Sequence, residues 1–360
     1  MSLNRRDLIK RCAQVGAVMA ASPALKGCGG TGAKKIDVHH HTLPPLYIDA
    51  LASIGILGSG GIPFPNWSPQ HSLEVMGFNN ITTAVLSLSS PGTYFGDTAF
   101  AVNLAREVNE YLAATVAEHP FEFGFFATLP APLVAEAAAE AEYALDVLKA
   151  DGVCLLASSG GIFLGDPNQD EILSVLDQRG ATVFIHPNQH TTTNQLGLTV
   201  PLFAVEFVVD TTRAVSNMVW NGTFEKFPNI KWIIAHAGGT IPYIAWRLSL
   251  LDFQFPELRE RSPGGTMKYL KRLYYDTALS PSSNSLYPVI NQFGIDQLVL
   301  GTDYPFAPSY LVPLELVELN LANNALPDLD SNGLAKIYQN GYKLFPRLND
   351  LHFSSAISTG

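Results

Sequence analysis

From Lys34 onward, short runs of apolar and β-branched residues alternate with longer stretches whose apolar positions recur at helical spacing. Residues 35–38, 83–88, 121–128, 152–156, 182–186, 231–236, 272–277 and 297–301 read as strands, eight in all. Between them, 98–118, 132–149, 169–179 and 201–221 read as helices. In the second of these, Val134, Ala138, Ala141, Leu145 and Leu148 form one apolar stripe. Asp97 and Asp166 stand where helix N-caps are expected. Eightfold strand–helix alternation predicts a closed parallel (β/α)8 barrel, with a doubly wound sheet as the alternative. Nothing in the pattern divides the chain further, so 31–360 is expected to be one domain. Residues 51–68, rich in Gly and Pro, read as a long loop inserted after the first strand. Such a loop on a barrel covers or lines a site.

In a barrel of this kind the chemistry sits at the C-terminal strand ends. The first strand ends Asp37-Val38-His39-His40-His41, the fifth Phe184-Ile185-His186-Pro187, the sixth Ala235-His236-Ala237-Gly238-Gly239 and the eighth Gly301-Thr302-Asp303-Tyr304-Pro305. A single histidine after an apolar strand is ordinarily a hydrogen-bonded core residue. Four strand ends carrying ligand types in one alternation are much harder to explain that way. His39 and His41 are two apart and face the same side of an extended strand, so His40 points the other way, toward the outer layer. His186 and Asp303 can approach the same point from their own strands. Three neutral imidazoles and a carboxylate suit one divalent cation, zinc first, with manganese or iron as alternatives. The fourth strand ends without a lysine to bridge two ions, which favours a mononuclear site. His236 then reads as a general acid/base beside the metal, because imidazole titrates near neutral pH. His190 is a further pocket candidate. His71 and His119 read as surface or helix-end residues.

Lys and Arg number 22 and Asp and Glu 32, a net charge of −10, which speaks against a nucleic-acid partner. Charged residues are only 15% and apolar residues 47%, so the core is large and part of the surface is expected to be covered by another subunit. The first thirty residues differ in character. Asn4-Arg5-Arg6-Asp7-Leu8-Ile9-Lys10, followed by an apolar run from Cys12 to Leu25, resembles a twin-arginine export signal. Leu25-Lys26-Gly27-Cys28-Gly29-Gly30 resembles a lipoprotein cleavage box. Residues 1–30 are therefore expected to send the protein to the periplasm or cell envelope, with membrane attachment only if Cys28 is lipidated. An ordinary basic helix, and a cytoplasmic protein, is the alternative. Cys154 lies in an apolar strand and reads as a buried small hydrophobe.

The strand-end motifs above, together with Leu43-Pro44-Pro45, occur in an order that resembles the aminocarboxymuconate-semialdehyde decarboxylase family of the amidohydrolase superfamily. The likeness runs from Lys34 to about Leu344. Leu86-Ser87-Leu88-Ser89-Ser90-Pro91-Gly92 and Thr211-Thr212-Arg213-Ala214 are similar to its 6-methylsalicylate branch, whose close relatives act on γ-resorcylate. The resemblance implies a (β/α)8 barrel with one divalent metal on His39, His41, His186 and Asp303, and a catalytic histidine at His236. It implies cofactor-independent loss of CO2. The substrate is expected to be a small aromatic carboxylate with an ortho hydroxyl, with Asp303, or a metal-bound water poised by His236, supplying the proton. Keeping His39 where some relatives carry Glu leans toward zinc. The resemblance also implies a homodimer or homotetramer in which Arg247, eleven residues past His236, reaches the neighbouring subunit's substrate. Trp67, Tyr94, Phe95, Phe163, Tyr304 and Phe306 are candidates to sandwich the ring. Two other readings compete: metal-dependent hydrolysis of an ester, lactone or amide on the same barrel, and an envelope protein that binds metal or an aromatic ligand without turnover.

Overall fold

Eight parallel strands form one sheet in chain order: β1 (Ile36–Thr42), β2 (Thr83–Leu88), β3 (Phe123–Thr128), β4 (Gly152–Leu156), β5 (Thr182–His186), β6 (Lys231–Ile234), β7 (Tyr274–Asp276) and β8 (Leu298–Val299). This computed structural model describes residues 33–326 and 331–353. The export signal expected over 1–30 lies outside the described residues. The sheet closes where β1 meets the last strand: the Val38 amide donates to the Leu300 carbonyl at 2.9 Å, and the Asp303 amide to the His39 carbonyl at 2.8 Å. The fold is therefore the expected barrel rather than the doubly wound sheet.

The strands are apolar on both faces because both are covered. Val85, Phe126, Cys154, Phe184, Ile233 and Val299 fill one buried layer with Ile36 and Val38. The C-terminal stretch adds Tyr342, Leu344, Phe345 and Leu348 to it. Each large side chain buried there contributes roughly 1.5–3 kcal/mol. Cys154 belongs to this layer, and burial pushes its thiol pKa up. A second set, including Ala84, Leu86, Phe125 and Leu155, packs against Leu104, Val108, Ala141, Leu173 and Val215 of the surrounding helices.

One irregularity decides which histidines face inward. Between Asp37 and His40, β1 advances one residue more than β2: Asp37 pairs with Ala84, whereas His40 pairs with Leu86. Such a bulge reverses the alternation. Ile36 and Val38 share the layer of Val85 and Phe184, and beyond the bulge His39 and His41 join that side. His40 turns outward, with Nδ1 3.0 Å from Asp37 and Nε2 2.9 Å from Ser72 Oγ on the helix Pro69–Asn79.

Helix boundaries follow local chemistry. Thr98–Glu118 begins at Asp97, whose carboxylate accepts the Phe100 amide. Asp166 caps a 3-10 turn, Pro167–Gln169, that leads into Asp170–Gln178. The stretch 132–149 is helical only over Val134–Asp146. The expected helix 201–221 starts later, at Glu206, because Val205 leaves helical geometry after a 3-10 turn over Leu202–Ala204. The expected loop 51–68 is also corrected. Its start belongs to the helix Pro45–Ser53, and Gly58–Ser59 pairs with Ile62–Pro63 as an antiparallel hairpin. The hairpin seats on the Leu202–Ala204 turn, where the Phe203 amide donates to the Gly60 carbonyl at 3.0 Å. Among the described residues no helix is long and apolar enough to cross a membrane.

Candidate metal centre and cavity

His39 and His41 from β1, His186 from the end of β5 and Asp303 after β8 bring one ligand atom each within 4.8 Å of one another. The Nδ1 atoms of the three histidines are all hydrogen-bonded. His39 Nδ1 is 2.7 Å from Asp276 Oδ2, His41 Nδ1 is 3.0 Å from Ser87 Oγ, and His186 Nδ1 is 2.8 Å from the Pro187 carbonyl. Carboxylate and carbonyl partners only accept, so His39 and His186 carry the Nδ1 proton and turn Nε2 lone pairs inward. His39 Nε2 lies 2.9 Å from His41 Nε2, and Asp303 Oδ1 lies 3.3 Å and 3.0 Å from the two. Three imidazole nitrogens and a carboxylate oxygen gathered this closely form a donor set that fits a divalent cation.

Electrostatics say the same. Burial lowers the pKa of His39, but Asp276 and Asp303 outweigh it and raise it to about 10. Burial pushes His41 down, and burial with the neighbouring imidazoles pushes His186 well down. Burial would raise Asp303, but His39 and His41 hold it well below the usual carboxylate range. Without a cation, a protonated His39 offsets one of the two carboxylate charges; a bound divalent cation would supply positive charge in its place.

His236 follows β6 in left-handed backbone geometry (φ 55°), as does Asp303 (φ 58°). Such conformations persist where surrounding bonds enforce them. Asp276 Oδ1 accepts the His236 amide at 2.8 Å. His236 Nδ1 lies 3.0 Å from the Ala278 carbonyl, so Nε2 is the free ring nitrogen.

A cavity of about 290 Å³ opens on this cluster, lined by His186, His236 and Asp303 together with Ser59, Ile62, Ser89, Phe203, Phe207, Val208, Leu279, Ser280 and Phe306. This volume sits at the small end for ligand sites and suits a single ring. No lysine or arginine lines it among the described residues.

Of the aromatic candidates, only Phe306 reaches the cavity, its ring 5.5 Å from that of His41. Trp67 is buried and donates to Ser72 Oγ. Tyr304 packs against outward-facing His40 at 5.0 Å. Phe95 meets Phe100, and Tyr94 lines a separate, smaller cavity. Phe163 stacks on His190 at 4.6 Å, which takes both away from the site. Arg247 is exposed on the helix Ile241–Ser249 and does not line the cavity of its own chain. Phe203 and Phe207 take the places expected of Trp67 and Tyr304. Their signal was the apolar run Pro201-Leu202-Phe203-Ala204-Val205-Glu206-Phe207 after β5. Asp276 was also missed, although it ends the seventh strand as His186 ends the fifth.

Residues 36–346 match the family described as Amidohydrolase, and the chain belongs to that family. A 6-methylsalicylic acid decarboxylase of Aspergillus aculeatus is 32% identical over 325 residues, which cover 87% of this chain and 96% of that protein. Another 6-methylsalicylic acid decarboxylase, from Penicillium expansum, is 33% identical over 278 residues, 76% of this chain and 86% of its own. Among solved structures, an amidohydrolase II superposes with a TM-score of 0.78 at 30% identity, covering 86% of this chain and 99% of that one. A dihydroxybenzoic acid decarboxylase from a Polaromonas species, solved with manganese and the inhibitor 2-nitroresorcinol, shares the fold with a TM-score of 0.73 at 20% identity, over 91% of this chain and 99% of its own.

Proposed function

We propose that this amidohydrolase removes CO2, without oxidation, from an aromatic acid with a hydroxyl ortho to the carboxylate, of the 6-methylsalicylate or γ-resorcylate type. The observation that carries this reading is the convergence of the His39, His41, His186 and Asp303 donor atoms at the end of a one-ring, mostly apolar cavity. The two fungal relatives, named decarboxylases of 6-methylsalicylic acid, support it.

His39, His41, His186 and Asp303 would hold the cation, zinc by its donor set and manganese by the Polaromonas neighbour. When bound, the cation supplies a Lewis-acid charge that holds the carboxylate and the adjacent oxygen. The protein's own groups do the rest. Phe203, Phe207 and Phe306 confine the ring and exclude water. A proton must reach the ring carbon bearing the carboxylate; His236 and Asp303, which line the cavity, are the groups assigned to deliver it, Asp303 only after it has itself taken up a proton. With Nδ1 of His236 tied to a carbonyl, Nε2 is the atom that takes and gives that proton. Protonation breaks aromaticity, and CO2 leaves as aromaticity returns.

The absence of Lys and Arg from the cavity lining among the described residues, and the exposure of Tyr243, Trp246 and Phe253 at 86%, 70% and 79%, support a homodimer or homotetramer. In it Arg247 supplies the positive charge to the partner's substrate. The arginine pair near the N-terminus supports export to the periplasm or envelope.

The test is metal analysis together with chromatography of CO2 and phenol on a panel of ortho-hydroxybenzoates. About one metal per chain with phenol formation is the expected result. His236→Ala should keep its metal and lose turnover by about 10²–10⁴-fold. Bound metal with no CO2 from any panel member would overturn the reading in favour of the hydrolase.

A further inference from the structure

Ser59 lines the cavity from the hairpin and is itself only 9% exposed. The direction of its single hydroxyl proton can be worked out from a chain of bonds in the wall behind it. Buried Asp210, on the helix Glu206–Trp220, accepts the Asn188 amide at 2.9 Å and the Ser158 hydroxyl at 3.0 Å. Asn188 is thereby fixed. Its Nδ2 donates to the Ser158 carbonyl at 2.9 Å, and its Oδ1 accepts the Gln189 amide at 2.9 Å, so the side-chain amide has only one orientation. The same Oδ1 accepts the Ser90 hydroxyl at 2.5 Å. With its only proton used, Ser90 Oγ can only accept, and it accepts the Ser59 hydroxyl at 2.8 Å. Ser59 has no second proton, so it presents lone pairs alone to the cavity.

In this proton order the polar ligand atom that matches Ser59 is a donor. We infer that Ser59 is a specificity-determining residue that reads a hydroxyl or amino group on the substrate ring, separate from the ortho hydroxyl that faces the metal cluster. An acceptor-only substituent at that ring position sets lone pair against lone pair in a buried wall, and binding falls roughly ten- to a hundredfold. Ser90, Asn188 and Asp210 act through Ser59 as positioning residues. The inference rests on the decarboxylase reading for the identity of the ring, and it adds the substituent that the ring carries.

The probes are 2-nitrophenols, in which the planar nitro group stands for the carboxylate and nothing can be decarboxylated. Each carries a second hydroxyl, or a fluorine of similar size without a proton, at one of the remaining ring positions. Dissociation constants are measured by calorimetry on the metal-loaded full chain. At one position or more, hydroxyl should bind about 10–100-fold more tightly than fluorine. Ser59→Ala should abolish that preference without weakening the fluorinated partner. Ser90→Ala, which never meets the ligand, frees the Ser59 proton and should lower the same preference, an effect that a packing role for Ser59 would not produce. No preference at any position in the unmodified protein, or a preference that survives Ser59→Ala, overturns the assignment; the first comparison holds even if a variant fails to fold. CO2 release from the matching hydroxybenzoates is scored in parallel. Preference without CO2 upholds Ser59 and refutes the decarboxylase, CO2 without preference does the reverse, and no binding by any probe overturns both.

Discussion

His39 Nδ1 and Asp276 Oδ2 are 2.7 Å apart, and the other oxygen of the same carboxylate accepts the backbone amide of His236 at 2.8 Å. One buried side chain thus sets the tautomer of a candidate metal ligand and holds the backbone of the candidate acid/base in its left-handed turn. Asp276→Asn keeps the shape but offers His39 an amide that can donate as well as accept. Metal affinity should fall about 10–100-fold. Competition against a chelating dye checks this, and unchanged affinity would show that the carboxylate does not orient His39.

Gly301 lies against the same pair. A Cβ there would come within 2.7 Å of His39 Cβ and 3.1 Å of Asp276 Cβ. Gly301→Ala should cost about 1–3 kcal/mol of stability and weaken metal retention with it. Urea unfolding with metal analysis reads both, and a variant that keeps full stability and metal would mean the strand end yields freely.

Glu315, on the helix Val312–Ala325, has both carboxyl oxygens buried. Burial, then the charge of Asp303, pushes its pKa up from 4.5 to about 9. The folded state keeps this proton over a range where the unfolded chain has lost it. The stability it contributes is full below pH 4.5 and is lost as pH rises toward 9. In metal-free protein, Glu315→Gln should match the parent near the acid end and exceed it in stability at the alkaline end. Parallel urea midpoints across that range would exclude the linkage.

Arg247 can be tested without knowing the substrate in detail. Arg247→Ala and His236→Ala chains should each be nearly inactive. In a mixed dimer, one site combines an intact His236 with the partner's intact Arg247. Unfolding and refolding the two variants together should restore activity to a substantial fraction of the parent's. Failure of the mixture to gain activity, with dimers present by light scattering, would place Arg247 outside the site.

The barrel was legible from periodicity because its strands are continuous apolar runs, buried on both faces and bounded by turn residues. The strands Thr83–Leu88, Gly152–Leu156 and Thr182–His186 begin and end where the pattern says. The strand-end rule likewise pointed to His39, His41, His186 and Asp303, because position along a strand is a sequence property. The aromatic lining was not legible in this way. Loop side chains have no periodicity to say where they point, so Trp67 and Tyr304 became packing while Phe203 and Phe207 entered the cavity.

What the amino-acid order determined by itself is the alternation of strands and helices and the residues at the strand tips, both consequences of local spacing and burial. Their spacing put His39 and His41 on one face and His40 on the other; that this face is also the face of Ile36 and Val38 was decided only in three dimensions. The extra residue between Asp37 and His40 in the β1–β2 ladder turns His39 and His41 inward and His40 outward. A bulge is a relation between two strands, set by the register in which the closing barrel pairs them. The proton order along Ser59, Ser90 and Asn188 is a tertiary property for the same reason: each hydroxyl's direction depends on a partner from another part of the chain.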